Sequence, residues 1–189
     1  MNINTFESST ILDAPIEAVY ALHENPHNIP KVSPSGFSVR RIEANPEAVA
    51  GEKFTVEASQ FFLPIRWEGV WDQVEHPTLL ADRALRSPFA DFRHEHRFES
   101  IDIGCRTRMT DHVEFELPGG PAMQAVGGAV IRAVFTVMFA ARHHATRGYF
   151  AGSVTPEPIR SPLGRSGLWL AAGLLIGGCL GFAWNRRRR

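Results

Sequence analysis

The segment Phe92–Phe98 (FRHEHRF) contains two histidines whose spacing could support acid–base chemistry or ligand binding. In an extended strand successive side chains point to opposite faces, so His94 and His96 share one face with the two terminal phenylalanines. The charged residues between them occupy the other face, which must contact water. We therefore predict that both histidines point into the protein.

A second segment, Arg108–Leu117 (RMTDHVEFEL), alternates in the same way and places Asp111 on its inner face. A hairpin that turns close to Gly104 would set His96 directly opposite Asp111. A register shifted by two residues would set His94 there instead. A histidine facing an aspartate inside an otherwise apolar interior is the sharpest feature of this sequence.

Three roles are open to this His–Asp pair. It can be a buried pair that satisfies its own hydrogen bonds and orients the polar end of a ligand. It can be catalytic, with His96 as the general base and Asp111 fixing its tautomer. Together with His94 it could also hold a metal ion, although the sequence offers no clear fourth ligand. We favour the first role, because buried polar groups normally have partners, and we expect no metal and no cofactor. No nucleophile motif, phosphate loop or dinucleotide fingerprint accompanies the pair, so an enzyme is not required.

Several further side chains are candidates for a binding role. Trp67 and Trp71 share a face of their strand and would line the interior, although aromatic residues at this spacing often only fill a core. Gln60 lies on the inner face of its strand, where it could bind a polar ligand group or a water molecule. The cations of Arg142–His144 are interpreted as favourable charges at a helix C-terminus.

The composition is that of one globular domain without a strong charge signature. The chain has 189 residues, of which 44% are hydrophobic and 21% are charged, enough for a single core. The tail after residue 164 carries five arginines and no acid, which leaves 15 basic and 20 acidic residues in the body. A body with that excess of acids does not resemble a nucleic-acid-binding protein. Two cysteines cannot form a disulfide framework or a zinc site of the CxxC type.

The hydrophobic periodicity predicts a meander of strands between two helical segments. The chain opens with a strand, Thr5–Leu12, after which Asp13 and Pro15 start a short helix that ends before Pro26. Six further strands follow, separated by short turns: Phe37–Ala44, Glu52–Phe61, Pro64–Glu75, Leu79–Ser87, Ala90–Ser100 and Cys105–Leu117.

The period then changes to that of a long helix over Met123–Phe150. Its apolar stripe is predicted at Val126, Val130, Val134 and Met138 or Phe139. Because nothing else in the chain could cover the apolar face of the sheet, we predict an α+β fold. A curved antiparallel sheet of about seven strands would wrap on the long C-terminal helix, and a single transmembrane-type helix would follow.

The tail has the composition of a membrane anchor. Gly167–Trp184 has no charged residue, and as a helix its eighteen residues would extend roughly 27 Å, just enough to span a bilayer core. Trp169 and Trp184 lie where interfacial tryptophans are found, and four arginines follow as a polar stop. The stretch before the anchor is rich in proline, glycine and serine, as linkers are.

Two further expectations concern the anchor. Gly173, Gly177 and Gly181 recur every four residues and could support a weak homodimer. The first residues lack the features of a secretory signal, which would keep the body in the cytoplasm. The terminal arginines would instead keep the C-terminus inside. Both cannot hold for a helix that crosses once, and we give the missing signal more weight: a single-pass C-terminal anchor with a cytoplasmic body.

Three segments resemble a known family: TFESSTILDAPIEAVYALHENPHNIPKVSP, SPFADFRHEHRFESIDIGCRTRMTDHVEFELPGGP and MFAARHH. With the order of elements, they are similar to the SRPBCC superfamily of helix-grip domains. It includes START lipid-transfer domains, polyketide cyclase/dehydrases, coenzyme Q-binding proteins and the birch-pollen allergen. The resemblance covers residues 3–150, and bacterial cyclase/dehydrase-like domains are the nearest in appearance. It implies an apolar ligand cavity between sheet and long helix without indicating which ligand.

On this basis the chain divides into an SRPBCC ligand-binding domain (1–152), a linker (153–166), a transmembrane-type anchor helix (167–185) and a basic tail (186–189). The side chains expected to line the cavity are Phe54, Val56, Gln60, Trp67, Trp71, Phe92, His94, His96, Phe98, Met109, Asp111, Val113, Phe115, Val130, Val134 and Met138.

These observations together predict a carrier or sensor of a lipophilic small molecule, kept at a membrane and without a nucleic-acid partner. The alternative is a polyketide cyclase/dehydratase-like enzyme that uses His96 and Asp111 for acid–base catalysis. A third hypothesis is a membrane-bound adaptor whose charged outer face docks a partner enzyme.

Overall fold

The computed structural model describes residues 3–33, 36–60 and 63–152. Seven antiparallel strands form one sheet in the order β1-β7-β6-β5-β4-β3-β2. The strands are β1 (Asn4–Leu12), β2 (Phe37–Glu43), β3 (Lys53–Gln60), β4 (Leu63–Glu75), β5 (Leu79–Arg86), β6 (Asp91–Ile101) and β7 (Arg106–Glu116). The helices are α1 (Ile16–Glu24) and α2 (Pro121–Phe150), with short 3-10 helices at Pro26–Val32 and Asp102–Gly104. The predicted helix-grip fold class is confirmed.

Helix α1 begins and ends where the sequence places its signals. Pro15 is the N-cap residue, with an extended backbone, and the helix stops at Asn25, just before Pro26. The predicted inner face is confirmed, since Ile16, Val19 and Tyr20 are all buried. The Asn25 side-chain oxygen accepts a hydrogen bond from the backbone N–H of His27 and so caps the 3-10 helix that follows.

Helix α2 contacts β1 and the 3-10 helix Pro26–Val32, but its buried face differs from the predicted one. Val126 is 72% exposed, and Val130, Val134 and Met138 are only half-buried. The helix instead buries residues at spacings of three and four: Gln124, Gly127, Gly128, Ile131, Phe135, Phe139, His143 and Thr146.

The two alternative stripes on α2 lie one residue apart, a rotation of about 100° around the helix. The observed rotation buries two phenylalanines, which remove more apolar surface from water than valines do. It also turns two glycines toward β1 and β7, where a methyl group on Gly128 would lie 2.1 Å from Asn4 Oδ1. The close approach of Gly128 to β1 and the burial of Phe135 and Phe139 therefore decide which face of α2 is buried.

The hairpin of β6 and β7 has the register predicted from a turn close to Gly104, and not the one shifted by two residues. Its Cα partners include His96 and Asp111, and the strands stay in register from Asp91 to Ile101. The reversal uses three residues with positive φ, Asp102, Ile103 and Gly104, a backbone state that only glycine adopts without strain. Ile103 is fully exposed there, which shows that the turn is set by the strands and not by burial of its own side chains.

Among the described residues, one helix is long and apolar enough to cross a membrane, and that helix is α2. Only a third of its most apolar window is buried in the protein, yet core helices of soluble domains have the same composition. The predicted linker, the anchor over 167–185 with its glycine stripe, and the basic tail lie outside the described residues.

Candidate ligand-binding site

Two apolar clusters lie between the inner face of the sheet and the helices. The first contains the buried face of α1, and its buried members are Leu12, Ala14, Ile16, Val19, Tyr20, Ala48, Phe54, Val56, Ala58, Trp71, Leu80, Phe98 and Met109. The second contains the buried face of α2, and its buried members are Phe92, Val113, Phe115, Leu117, Ile131, Phe135 and Phe139. Trp67 is partly buried and packs against both.

A layer of polar side chains separates these clusters. On β6, His94 and His96 lie between Phe92 of the second cluster and Phe98 of the first. On β7, Asp111 occupies the equivalent position. The exposed fractions are 7% for His94, 5% for His96 and 0% for Asp111. A carboxylate so completely buried must be compensated by neighbouring donors.

Three imidazoles surround the Asp111 carboxylate. Its Oδ1 is 2.9 Å from His94 Nε2 and 2.6 Å from His96 Nδ1. Its Oδ2 is 2.5 Å from Nε2 of His143, which α2 supplies. With His23, whose ring centroid lies 5.1 Å from that of His96, these residues form one buried group that we call the polar cluster: His23, His94, His96, Asp111 and His143.

The strand register explains why both histidines of β6 reach the same carboxylate. His96 is directly opposite Asp111, and His94 is its diagonal neighbour, a separation that a long side chain can bridge. The other ring nitrogen of His94 lies 3.6 Å from Asp82 Oδ1, because β5 sets Asp82 opposite His94. Each nitrogen of His94 therefore faces an acid.

The electrostatics favour an ionised Asp111 and a protonated His94. Burial alone would raise the pKa of Asp111, but interaction with His96 and hydrogen bonds with His143 and His94 outweigh it and hold the pKa well below its usual value. Burial would likewise lower the pKa of His94, yet its contacts with Asp111 and Asp82 raise it to about 9. A buried ion pair is the result.

The imidazole rings of His96 and His23 are held in their neutral form. Burial lowers the pKa of His96 to about 3, and the charge on His94 adds to the effect. Burial also lowers the pKa of His23 to about 3, with contributions from His96 and Arg142. The Nδ1 atom of His23 is 2.8 Å from the Val19 carbonyl oxygen, which can only accept, so the ring proton is on Nδ1. The Nε2 atom of His23 consequently carries a lone pair.

Three buried side-chain nitrogens have no hydrogen-bond partner among the described residues: His23 Nε2, His96 Nδ1 and Arg142 Nε. The first two belong to the polar cluster. The third is on α2 beside His143, and its charge acts on both His23 and His96. The structure thus holds an unpaired acceptor and an unpaired donor close to an otherwise satisfied ion pair, which native interiors rarely tolerate without a reason.

The sequence of residues 4–142 matches the family model described as polyketide cyclase/dehydrase and lipid transport. The chain belongs to this family. The predicted membership of the SRPBCC superfamily is thereby confirmed. No curated protein matches the chain.

Solved structures share the fold of this chain at low identity. The Zhui aromatase/cyclase from Streptomyces is 16% identical with a TM-score of 0.64, and the match covers 82% of this chain and 97% of that one. A protein from Arthrobacter aurescens is 14% identical with a TM-score of 0.65 and coverage of 82% and 91%. A START superfamily protein from Mycobacterium smegmatis is 8% identical with a TM-score of 0.58 and coverage of 79% and 98%.

Two members of the polar cluster in this family member were not predicted as such. The sequence indicates His143 as a cation at the end of α2, but the residue is 3% exposed and forms a hydrogen bond with Asp111. Its spacing of four residues from Phe139, and eight from Phe135, places it on the buried stripe. His23 was not singled out, although its spacing from Val19 and Tyr20 puts it on the inner face of α1.

The remaining predicted lining residues divide between the two clusters. Phe54, Val56, Trp71, Phe98 and Met109 are in the first, and Phe92, Val113 and Phe115 are in the second. Met138 packs against the second cluster from the side, and Val130 and Val134 are half-buried. The side chain of Gln60 lies outside the described residues.

The outer face of β6 is charged as predicted, with one difference. Glu95 is only 7% exposed, although its alternation places it on the side that contacts water. The guanidinium groups of Arg93 and Arg97 both bind its carboxylate and cover it. The Arg97 side chain stays 51% exposed while it shields the acid, whereas that of Arg93 is only 16% exposed.

Proposed function

We propose that this protein carries or senses a lipophilic small molecule bearing a polar end, held between sheet and long helix and kept at a membrane. The apolar part of the ligand would lie against the aromatic residues of the two clusters. Its polar end would lie at the layer between them. Family membership supports the ligand-binding role, and isoprenoids, quinones, fatty acyl chains and polyketide-like compounds are the chemical classes that fit it.

The observation that carries this proposal is a pair of buried atoms, His23 Nε2 and Arg142 Nε, that have no hydrogen-bond partner within the part of the chain that the structure describes. One can only accept a hydrogen bond and the other can only donate one. A hydroxyl group offers both functions, and a protonated carboxyl group does as well. Leaving such atoms unpaired costs about 1–3 kcal/mol each, a cost that a bound ligand would remove.

The apolar side of the proposed site is rich in aromatic rings. Phe135 of α2 contacts the rings of Phe6, Phe92 and Phe115, and Phe139 contacts His94. Pockets for small molecules are mostly lined in this way, with few polar groups to fix orientation. Ring faces accept flat or extended apolar ligands, which agrees with the proposed chemical classes.

Native mass spectrometry of the detergent-extracted full chain tests the carrier proposal. We expect a folded species heavier than the polypeptide by the mass of one small molecule that contains at least one oxygen. Organic extraction of the same sample should release that molecule. A folded species at the bare polypeptide mass, together with an extract free of any lipophile, would favour the adaptor hypothesis instead.

The membrane location is proposed from the uncharged tail. Deletion of residues 165–189 should release the body into the soluble fraction, whereas the full chain should sediment with membranes after a carbonate wash. Fractionation followed by immunoblotting measures both. Full-length protein that is soluble without detergent, or a truncated body that stays with membranes, would exclude the anchor.

A cyclase or dehydratase is the second candidate, because His94, His96 and Asp111 converge on one point between the two clusters. The family and the Zhui aromatase/cyclase fold are compatible with it. The pKa of about 3 for His96 makes it a weak general base, since a catalytic base works best with a pKa near the operating pH. Because the pKa of His96 lies far below the value that suits a catalytic base, we place the carrier first.

A further inference from the structure

We infer that His94, His96 and Asp111 form a binding site for a divalent first-row transition metal ion, with Zn²⁺ as the most suitable. One ligand atom from each of these residues lies within 4.8 Å of the others. Two imidazoles and one carboxylate are the donors that zinc and iron(II) sites use. The inference concerns different atoms from those that support the carrier proposal, so either can fail without the other.

The spacing of the three donors is close to that of a coordination shell. A four-coordinate ion with bonds of about 2.0–2.2 Å keeps neighbouring ligand atoms about 3.3–3.6 Å apart. The two N···O separations, 2.9 Å for His94 and 2.6 Å for His96, are shorter by about 1 Å or less. Small rotations of side chains on two paired strands would admit the ion without moving the backbone.

The contact of His96 with Asp111 is the second observation that points to a ligand. Nδ1 lies 2.6 Å from Oδ1, yet it has no hydrogen-bond partner of acceptable geometry among the described residues. The ring nitrogen therefore approaches the carboxylate without being aimed at it. Ligand atoms of a metal centre are related in this way, because their lone pairs converge on a common point beside them.

The surroundings of His94 match the outer shell of a metal site. When Nε2 binds an ion, Nδ1 carries the proton and usually donates it to a carboxylate or a carbonyl. Asp82 Oδ1 lies 3.6 Å from that nitrogen. His143 holds the other oxygen of Asp111, which orients the carboxylate. Asp82 and His143 would therefore be positioning residues for His94 and Asp111.

The charges around the proposed metal site also suit a divalent ion. Asp111 and Asp82 bring two negative charges to the site, which match a divalent ion. The ion would displace the proton from Nε2 of His94, so that neutral imidazoles complete the shell. Arg142 is a cation whose charge acts on His23 and His96, so the ion would bind on the carboxylate side of the cluster. Three protein ligands leave a fourth position for water or for the polar end of a ligand, as in open zinc sites.

The test is a Co²⁺ titration of the full chain in detergent, without a polyhistidine tag and after removal of metals by a chelator. We expect one Co²⁺ per chain, a visible d–d absorption of a four- or five-coordinate ion, and its loss when Zn²⁺ is added. His94→Gln and His96→Gln should each abolish that spectrum. Asp82→Asn should weaken binding by about 10–100-fold without changing the spectrum, and His112→Gln, on the outer face, should change neither.

Circular dichroism shows whether each variant is folded, and the wild-type titration decides the matter even if a variant is not. If the spectrum with wild-type protein stays that of hydrated Co²⁺, the inference is overturned, because the histidines and Asp111 then bind protons and no metal ion. A cobalt–thiolate charge-transfer band overturns it as well, since it would place the ion on Cys105 or Cys179. Loss of binding in His112→Gln with retention in both inner variants has the same consequence.

Discussion

The two faces of β6 carry similar numbers of polar groups and treat them in opposite ways. On the outer face Arg93, Glu95 and Arg97 form ion pairs whose outermost members remain in water. On the inner face His94 and His96 are withdrawn from water and share one carboxylate. Charges on the outer face can exchange partners with solvent. The inner groups depend on a few fixed partners, so each unpaired atom there requires an explanation.

The difference teaches where function should be sought in this fold. Exposed ion pairs such as Arg108 with Glu99, whose side chains are 45% and 62% exposed, contribute little to stability and give little indication of function. The inner polar layer costs stability unless every member is satisfied, and two of its nitrogens have no hydrogen-bond partner among the residues that the structure describes. Function is therefore expected in the inner layer.

The largest contrast should come from two amides that replace acids on the same strand. Asp111→Asn leaves three imidazoles without their shared charge and should lower the free energy of unfolding by about 3–5 kcal/mol. Glu114→Gln, on the outer face of β7, should change it by less than about 0.5 kcal/mol. Thermal unfolding of the full chain followed by circular dichroism, with a chelator present, measures both. Equal losses in the two variants would show that the inner layer is not a special environment.

The same contrast applies to the two faces of α2. Ile131→Ala removes a side chain that is 5% exposed and should cost about 2–5 kcal/mol. Val126→Ala alters a residue that is 72% exposed and should cost less than about 0.5 kcal/mol. Denaturant unfolding compares them at equal protein concentration. A larger loss for Val126→Ala would restore the stripe predicted from the valines.

Arg142→Met sharpens the comparison because it removes a buried Nε atom that has no hydrogen-bond partner among the described residues. The free energy of unfolding of the ligand-free protein should stay the same or rise by about 1 kcal/mol, since an unpaired buried donor is lost. Differential scanning calorimetry after delipidation measures the change. A loss of several kcal/mol would mean that the guanidinium already has a structural partner.

The smallest effect is expected on the outer face. Glu99→Gln breaks an exposed pair with Arg108 and should alter the free energy of unfolding by less than about 0.5 kcal/mol. The change should shrink further in high salt, because exposed charges are screened. Unfolding at two ionic strengths provides the measurement, and a loss above 1 kcal/mol that persists in salt would contradict it.

Much of the fold could be predicted because the alternation on β6 and β7 leaves one arrangement that keeps the charged face in water. The turn close to Gly104 predicted the pairing of His96 with Asp111, with His94 as the alternative, and the structure has the first register. The rotation of α2 could not be predicted in the same way, since valines and phenylalanines offered two apolar stripes one residue apart. His143 was missed for the same reason, because its hydrogen bond with Asp111 depends on that rotation.

The central claim, that the inner polar layer receives the polar end of a lipophile, is tested most directly by two matched variants. Full-length wild type, Arg142→Met inside and Arg97→Met outside are purified identically, and mass spectrometry of their organic extracts gives the lipophile per chain. The account predicts about tenfold or greater loss in Arg142→Met and wild-type retention in Arg97→Met. Equal retention of the same molecule in all three proteins would contradict it.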